Sequence, residues 1–557
     1  VTSAVAVTSA RDIGARTPPA GRDIPKIGGI SGGTAVAMSP VAMSLPASQP
    51  ARTAPPSLRV VPRPLAEERP EVLRSYGGLH EARASVVRPS SVAELRDVLV
   101  RASREGRRVA VRGGGQSIDD RSLGGDLVVS TERLDAVDVD EARAEVTVGP
   151  GATWGAILRR LPAGLVPHVV VTTSAATAGG TLTAGCISRF SPCFGREPRH
   201  VRSFDLMTAS GAVIRCTPGG ENADVFAAVT AGIGYLGVIT RITYALLDLR
   251  HLLAGRPAGV GLAVETHVRR HASFESMAGE LLDALPSPDA PEAVYAVASV
   301  DGTGAVHRSR YVAGGGPLRP LPISRRPSPA RLALEGLMWP EAVGQAMWKV
   351  IFGGYYRVRS SFTDDLFGFT FCMDTNERAT SLYRRLGGEL YLAQQTFLIP
   401  GSPADREASI ARVSAFMREA ARRLCGQGTP PTLFDVLYIA GEEGRYAGSF
   451  AVTAAFVATD RARVEAIGRC LTGLAALCRR VGGYVHLVKN VHARPEDLAA
   501  MHAPRLAQHF AVRRRLDPRG VMRNDFFDRI FASCAPPPSR PLPQAEARAE
   551  QDLPIAC

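Results

Sequence analysis

The sequence has no apolar run suited to a bilayer. Its longest stretch without Asp, Glu, Lys or Arg, residues 161–188, is rich in Gly, Thr, Ser and Pro, which is wrong for a spanning helix. Nine cysteines (Cys186, Cys193, Cys216, Cys372, Cys425, Cys470, Cys478, Cys534 and Cys557) include no C-x-x-C pair, and no His–Cys grouping has zinc spacing. No metal is therefore expected. An odd, scattered set of thiols is expected to be reduced, mostly as small core hydrophobes. Neither a continuous apolar h-region nor a twin-arginine pair stands near Val1, so the expected location is cytoplasmic. Aromatic residues make up only 6% of the chain, and the arginines behind its net charge of +13 are spread along its length. A nucleic-acid partner, which needs basic and aromatic groups clustered together, is not expected. The excess charge suits an anionic cofactor or substrate instead.

What is present is a strand running into three glycines, Val109-Ala110-Val111-Arg112-Gly113-Gly114-Gly115-Gln116-Ser117. Such a turn lets the backbone approach a ligand closely, and its successive N–H groups form a concave anion site. Its spacing is neither G-x-G-x-x-G nor a Walker A loop. By itself a glycine run after a strand is more often a plain turn.

Around it the 557 residues carry two or three core-forming units and no internal repeat. A helix capped by Ser90 or Ser91 precedes the strand and runs to about Glu105. Strands follow at 127–130, 136–139 and 144–148, then a helix from Thr153 to Leu161. Residues 172–185 are too small to build a core. They press against a large flat ligand or form a helix buried against a sheet, and the residues do not choose between the two. A hairpin covers 201–216, a helix 223–229, and a glycine-punctuated turn enters a strand at 232–240. Residues 248–333 read as loop-rich, with a mobile excursion at 314–331. Regular structure resumes around 355–357, 390–400 and 449–457. A helix at 461–481, a strand at 482–489 and a helix at 495–516 follow.

Five stretches, in order, resemble the FAD-binding fold of the vanillyl-alcohol oxidase superfamily. They are Arg112-Gly113-Gly114-Gly115-Gln116-Ser117, residues 172–188, the hairpin at 199–211, residues 231–241, and Leu516-Asp517-Pro518-Arg519-Gly520-Val521-Met522. Within that superfamily the C-terminal half resembles the flavin subunits of decaprenylphosphoryl-ribose epimerases. That likeness rests on Leu392-Ala393-Gln394-Gln395-Thr396-Phe397-Leu398-Ile399-Pro400 and Gly483-Tyr484-Val485-His486-Leu487-Val488-Lys489. Residues 186–201 depart from those enzymes. The resemblance implies an α+β fold: a PCMH-type FAD-binding domain of two α/β subdomains plus a substrate/cap domain with an antiparallel sheet. Its expected limits are 1–62, a disordered N-terminal segment; 63–247, the FAD-binding domain; 248–483, the substrate/cap domain; 484–531, a return to the FAD domain; and 532–557, a disordered tail.

The resemblance also assigns roles. Arg112, Gly113, Gly114, Gly115, Gln116 and Ser117 would hold the pyrophosphate. Thr173, Ser174, Thr177, Gly179, Gly180, Thr181, Gly185 and Ser188 would contact the flavin, Ile239 would line its slot, and Asn524 would close the site. Gln116 stands where many relatives carry a histidine bonded to the flavin, and no cysteine lies near Thr172, so the FAD is expected to be noncovalent. Lys489 would face the flavin and stabilise the charge of its reduced form. On a regular strand, Val485, Leu487 and Lys489 share one face and His486 the other. Tyr356, Gln394 and Thr396 would orient a hydroxyl. Read without the family, Lys489 is a strand-end lysine reaching solvent, Asn524 a loop cap, and the other three satisfied sheet residues.

The expected activity is that of an FAD-dependent oxidoreductase oxidising a CH–OH group of a sugar-like or polycyclic natural product by hydride transfer. Its partners would be a small-molecule alcohol, molecular oxygen or another electron acceptor, and a partner reductase. A flavin oxidase of secondary metabolism forming a C–C or C=C bond, or a catalytically silent flavin-fold binding protein, fits the same residues. No residue stands out as the acceptor of the hydroxyl proton.

Overall fold

Ser91 starts the first helix. Its Oγ accepts the Glu94 N–H at 3.2 Å, the Glu94 carboxylate accepts the Ser90 N–H at 2.7 Å, and the helix runs Val92–Glu105 to a left-handed Gly106. Leu95, Val98, Leu99 and Ala102 form its buried stripe. A computed structural model of the chain describes residues 67–230, 232–283, 291–315, 354, 357, 360–374, 389–441 and 448–534.

The helix packs on a four-stranded sheet of β1 (Arg69–Arg74), β2 (Glu81–Val87), β3 (Val109–Arg112) and β4 (Leu127–Ser130), in the order β1-β2-β4-β3. Strands β2, β4 and β3 are parallel, so the glycine turn leaves the carboxyl end of β3. In open parallel sheets this is the end where ligands bind. The C-terminal chain returns to the same strand. The Asp517 carboxylate accepts the Val521 and Met522 N–H groups at 2.8 Å each, and the Val109 N–H reaches the Val521 carbonyl at 2.7 Å.

A second sheet holds β5 (Val137–Asp140), β6 (Glu145–Val148), β7 (Leu165–Pro167), β8 (Val201–Met207), β9 (Val213–Cys216) and β10 (Val238–Asp248). Residues 172–185, which left ligand loop and buried helix open, contain the helix Ala178–Ala184. Its smallness permits close packing: a Cβ at Gly179 would lie 2.8 Å from the Pro150 Cβ.

Beneath that helix lies a buried acid. Glu197 Oε1 accepts from Tyr244 Oη at 2.7 Å and from Thr181 Oγ1 at 2.9 Å, while Oε2 has no partner among the described residues. Burial pushes its carboxyl up from 4.5 to about 8. A raised acid favours folding fully below its unfolded value near 4.5. The advantage falls at up to ~1.4 kcal/mol per pH unit as pH rises toward about 8. Glu197→Gln, which stays neutral, is expected to remove that decline. Urea unfolding of both proteins from pH 5 to 8.5 checks it, and parallel curves would show that Glu197 does not carry the slope.

The third sheet corrects the loop-rich reading of 248–333. β11 (Gly261–His271), β12 (Ala293–Ala298) and β13 (Gly304–Gly315) are long strands, with a helix at Phe274–Asp283. β11 alternates Arg and His on its open side, which disguises it, and its partners are far away: Ala263 pairs with Asp365. With β14 (Ser361–Asp365), β15 (Tyr391–Pro400), β16 (Leu433–Ile439), β17 (Ser449–Ala458) and β18 (Tyr484–Val485) they form one eight-stranded antiparallel sheet, β14-β11-β13-β12-β16-β17-β15-β18. Phe434, Val436, Phe450 and Val452 face the helices Phe274–Asp283, Arg406–Gly426 and Arg461–Arg480 and share a core with them. By alternation Leu433, Asp435, Leu437, Ala451 and Thr453 point the other way, and all five line a cavity.

The strand expected at 482–489 is only Tyr484–Val485. It pairs with Phe397 and Leu398 at the sheet edge, the His486 N–H still reaches the Thr396 carbonyl at 2.9 Å, and the ladder then breaks until the Asn490 side chain and backbone bind the backbone of Gln394. The excursion at 314–331 begins with Gly314 and Gly315 in β13, and its remainder lies outside the described residues. Residues 1–62 also lie outside them. Of the expected disordered tail, Ala532–Cys534 forms a 3-10 turn and the rest lies outside them.

Candidate active site

The cavity of about 490 Å³ lies between the glycine turn after β3, the helix Ala178–Ala184 and the open face of the eight-stranded sheet. Its glycines are needed for room. A Cβ on Gly114 would sit 2.0 Å from the Ala175 carbonyl oxygen, and one on Gly113 would sit 2.2 Å from Thr177 Oγ1. Gly115 has φ +69, which favours glycine.

Beyond the turn the cavity wall holds polar atoms with nothing to bind. Ser117 Oγ, Thr177 Oγ1 and two guanidinium nitrogens of Arg121, Nε and Nη2, are buried without a hydrogen-bond partner among the described residues. The nearby acids do not serve Arg121. Asp119 pairs with His80 at 2.9 Å and Asp120 with Arg529 at 2.6 Å. Arg121 Nη1 donates to the Gly232 carbonyl at 3.2 Å, its guanidinium lies 4.8 Å from the Phe526 ring centre, and burial lowers its pKa. Buried polar groups are nearly always paired, so this set asks for an anionic ligand rich in acceptors. A dinucleotide pyrophosphate fits.

Most of the expected cofactor residues meet here. Gly113, Gly114, Gly115, Gln116 and Ser117 line the cavity, and so do Thr173, Thr177, Gly179, Gly180, Thr181, Ser188 and Ile239. Four expected residues do not. Arg112 passes behind the turn, donating to Ser122 Oγ and the Arg74 carbonyl at 3.2 Å each. Ser174 gives its N–H to Asp374 Oδ1 at 2.8 Å. Gly185, at φ +59, ends the helix Ala178–Ala184 and packs against Arg196 and the Thr230 carbonyl. Asn524 caps the helix Asp525–Phe531 and donates to the carbonyls of Asp120, Arg121 and Leu123, so it anchors the segment carrying Arg121. Tyr356 lies outside the described residues.

At the other end, Gln394 and Thr396 of β15 line the cavity with Lys489. Thr396 Oγ1 is 2.8 Å from Thr453 Oγ1. The short β18 changes one expectation: His486 lies on the cavity with Lys489 rather than on the opposite face. Burial, and then the cations Arg196, Arg505, Lys489 and Arg121, hold the His486 ring well below its ordinary pKa. Burial also lowers the Lys489 pKa, against the opposing pull of Asp435 and then Cys186. Cys186, expected as a core thiol, is buried and also borders the cavity; burial and Glu197 keep it protonated.

Three charged cavity residues carry no signal of their role in a local motif: Arg121, Arg189 and Asp435. Arg189 is buried, with its guanidinium 4.7 Å from the Tyr295 ring centre and 4.9 Å from that of Phe369, and it donates to Cys372 Sγ at 2.6 Å. Asp435 offered one usable signal, a lone acid in the apolar strand Leu433-Phe434-Asp435-Val436-Leu437-Tyr438-Ile439.

Comparison with known proteins agrees with this geometry. A family profile described as FAD binding domain matches residues 84–217, and one described as D-arabinono-1,4-lactone oxidase matches 457–530. The chain is similar to decaprenylphosphoryl-beta-D-ribose oxidase of Mycolicibacterium smegmatis, 23% identical over 476 residues, covering 82% of this chain and 97% of that one. It is 30% identical over 201 residues to L-gulonolactone oxidase of Mus musculus, covering 36% of this chain and 41% of the mouse protein. It is 33% identical over 173 residues to L-gulono-1,4-lactone dehydrogenase of Mycobacterium tuberculosis, covering 30% and 39%.

Proposed function

We propose that this chain, an FAD-dependent oxidoreductase with a PCMH-type FAD-binding domain, oxidises the CH–OH group of a sugar-like or polycyclic alcohol. On this reading residues 63–247 and 484–531 hold the FAD and residues 248–483 shape the substrate side. FAD supplies a two-electron acceptor for hydride. Everything else falls to the protein. Gly113–Ser117 and Arg121 bind the phosphates. Gln394 and Thr396 orient the hydroxyl. Lys489 offsets the negative charge that reduction adds.

Lys489 is the observation that carries this reading. It is half-buried and borders the cavity, where the FAD-binding segments meet the sheet. Its charge is opposed there by Asp435, and a ring that gains negative charge on reduction would give it a further partner. The similarity to enzymes named for a ribose and for gulonolactone supports a sugar-like substrate.

The FAD is proposed to be noncovalent. Gln116 lacks a nucleophile, and a protonated Cys186 is a poor one. The purified protein is expected to be yellow and to release FAD into the supernatant on acid precipitation. A washed pellet that stays yellow would point to a covalent link. The activity is tested by anaerobic bleaching with L-gulono-1,4-lactone, benzyl alcohol and a short polyprenylphosphoryl ribose. A product two hydrogens lighter, with a new carbonyl, is expected. A product with a new C–C or C=C bond would move the chain to the other oxidase class, and no bleaching by any of them would count against alcohol oxidation.

A further inference from the structure

We propose that Asp435 accepts the substrate hydroxyl proton. The inference rests on the alcohol-oxidation reading above and names the group that reading leaves open.

Asp435 sits in the middle of β16, between Val297 of β12 and Thr453 of β17 in register. Its neighbours on the strand, Phe434 and Val436, are buried in the core beneath the sheet, so its side chain rises on the cavity side. No described residue hydrogen-bonds its carboxylate, although Lys489 and Arg189 both act on it electrostatically. An acid placed among apolar residues of a strand, half-buried on the cavity wall and without a hydrogen-bond partner among the described residues, is free to bind what enters the cavity.

The other titratable groups on the cavity are less suited. His486 is hemmed in by cations that oppose an imidazolium. Lys489 is already assigned to the charge that reduction adds. Cys186 is kept protonated, and Cys372 is engaged by Arg189. Tyr295 faces the Arg189 guanidinium. Desolvation raises the Asp435 carboxyl above its usual range while Lys489, then Arg189, restrain the rise, which makes its carboxylate a stronger base than an exposed one.

The electrons and charges balance. The substrate C–H bond breaks and its electron pair leaves as hydride to FAD. The O–H bond breaks, its proton goes to Asp435, and its electron pair closes the C=O bond. The carbon is oxidised by two electrons, FAD is reduced by two, and no other reactant is needed. Asp435 loses one negative charge as the FAD gains one. The net charge in this low-dielectric cavity therefore does not change.

The test uses anaerobic flavin reduction by whichever of the three probe alcohols bleaches the unaltered holoenzyme. Its rate is expected to rise with pH and then level off as Asp435 ionises. Asp435→Asn keeps the shape and is expected to slow reduction by roughly 10²–10⁴-fold and to abolish that rise. Asp435→Glu should restore much of the rate with a shifted rise. A residue that only neutralised Lys489 would alter the rate without owning the pH profile. Asp435→Ala is the second variant: sodium formate, a small external base, should restore its reduction in proportion to concentration. An Asp435→Asn enzyme with the unaltered rate and profile, or an FAD-loaded Asp435→Ala enzyme indifferent to formate, overturns the proposal alone. Failure of every alcohol to bleach the unaltered enzyme overturns it together with the activity it rests on.

Discussion

Lys489→Met is expected to slow anaerobic flavin reduction by roughly one to two orders of magnitude. Methionine keeps much of the bulk and removes the charge. A charge-assisted contact in a buried site is worth ~1.5–3 kcal/mol. If the ammonium meets its anion mainly as charge develops, that energy appears almost wholly in the rate. Sulfite adds to a flavin and also makes it anionic, so its affinity should weaken in parallel. FAD content should hold, because the grip on the phosphates is assigned to the glycine turn and Arg121 and not to Lys489. A variant with full FAD, an unaltered rate and unaltered sulfite affinity would remove Lys489 from the chemistry. Sulfite makes the experiment informative before any substrate is known.

Lys489 also illustrates what the sequence could say. Its importance was legible from a motif, but its surroundings were not. A regular strand through 482–489 would have put His486 on the far side. The ladder instead breaks after His486 and the chain rejoins β15 only at Asn490, which binds Gln394, nearly a hundred residues earlier, out of register. Local signals were dependable where the cause was local. Ser91 and Thr153 cap the helices they begin, and the hairpin of β8 and β9 falls where its turn residues put it. Causes at a distance were hidden. β11 is a strand because β13 and β14 flank it, and its Arg and His residues masked the alternation. Arg121, Arg189 and Asp435 are ordinary charged residues in the sequence. Each matters only because the fold leaves it on one cavity wall. Conversely, Arg112, Ser174 and Gly185 belong to the motifs and Asn524 follows the last of them, yet all four lie off the cavity lining.

Gly114→Ala is expected to yield a protein that folds but largely loses its FAD. The added Cβ would lie 2.0 Å from the Ala175 carbonyl oxygen and 3.1 Å from the Ala175 carbonyl carbon. These are backbone atoms, so no rotamer change relieves the contact. The backbone cannot easily withdraw either. The Trp154 N–H holds the Ala176 carbonyl at 2.9 Å, and the Ala178 N–H holds the Ala152 carbonyl at 2.9 Å. The glycine turn must move instead, and its N–H groups move with it, away from the positions a pyrophosphate needs. Overpacking of this kind costs ~1–3 kcal/mol, which corresponds to roughly a 5- to 150-fold loss in FAD affinity if the strain is released when the turn is empty. Titration of apoprotein with FAD, followed by quenching of flavin fluorescence, measures it. Gly426→Ala is the control, since nothing lies within 4 Å of its Cβ at the end of the helix Arg406–Gly426, and its FAD affinity should not change. Equal affinity in the two variants would mean that the turn after β3 does not hold the phosphates, and the cofactor would have to be placed elsewhere on the cavity wall.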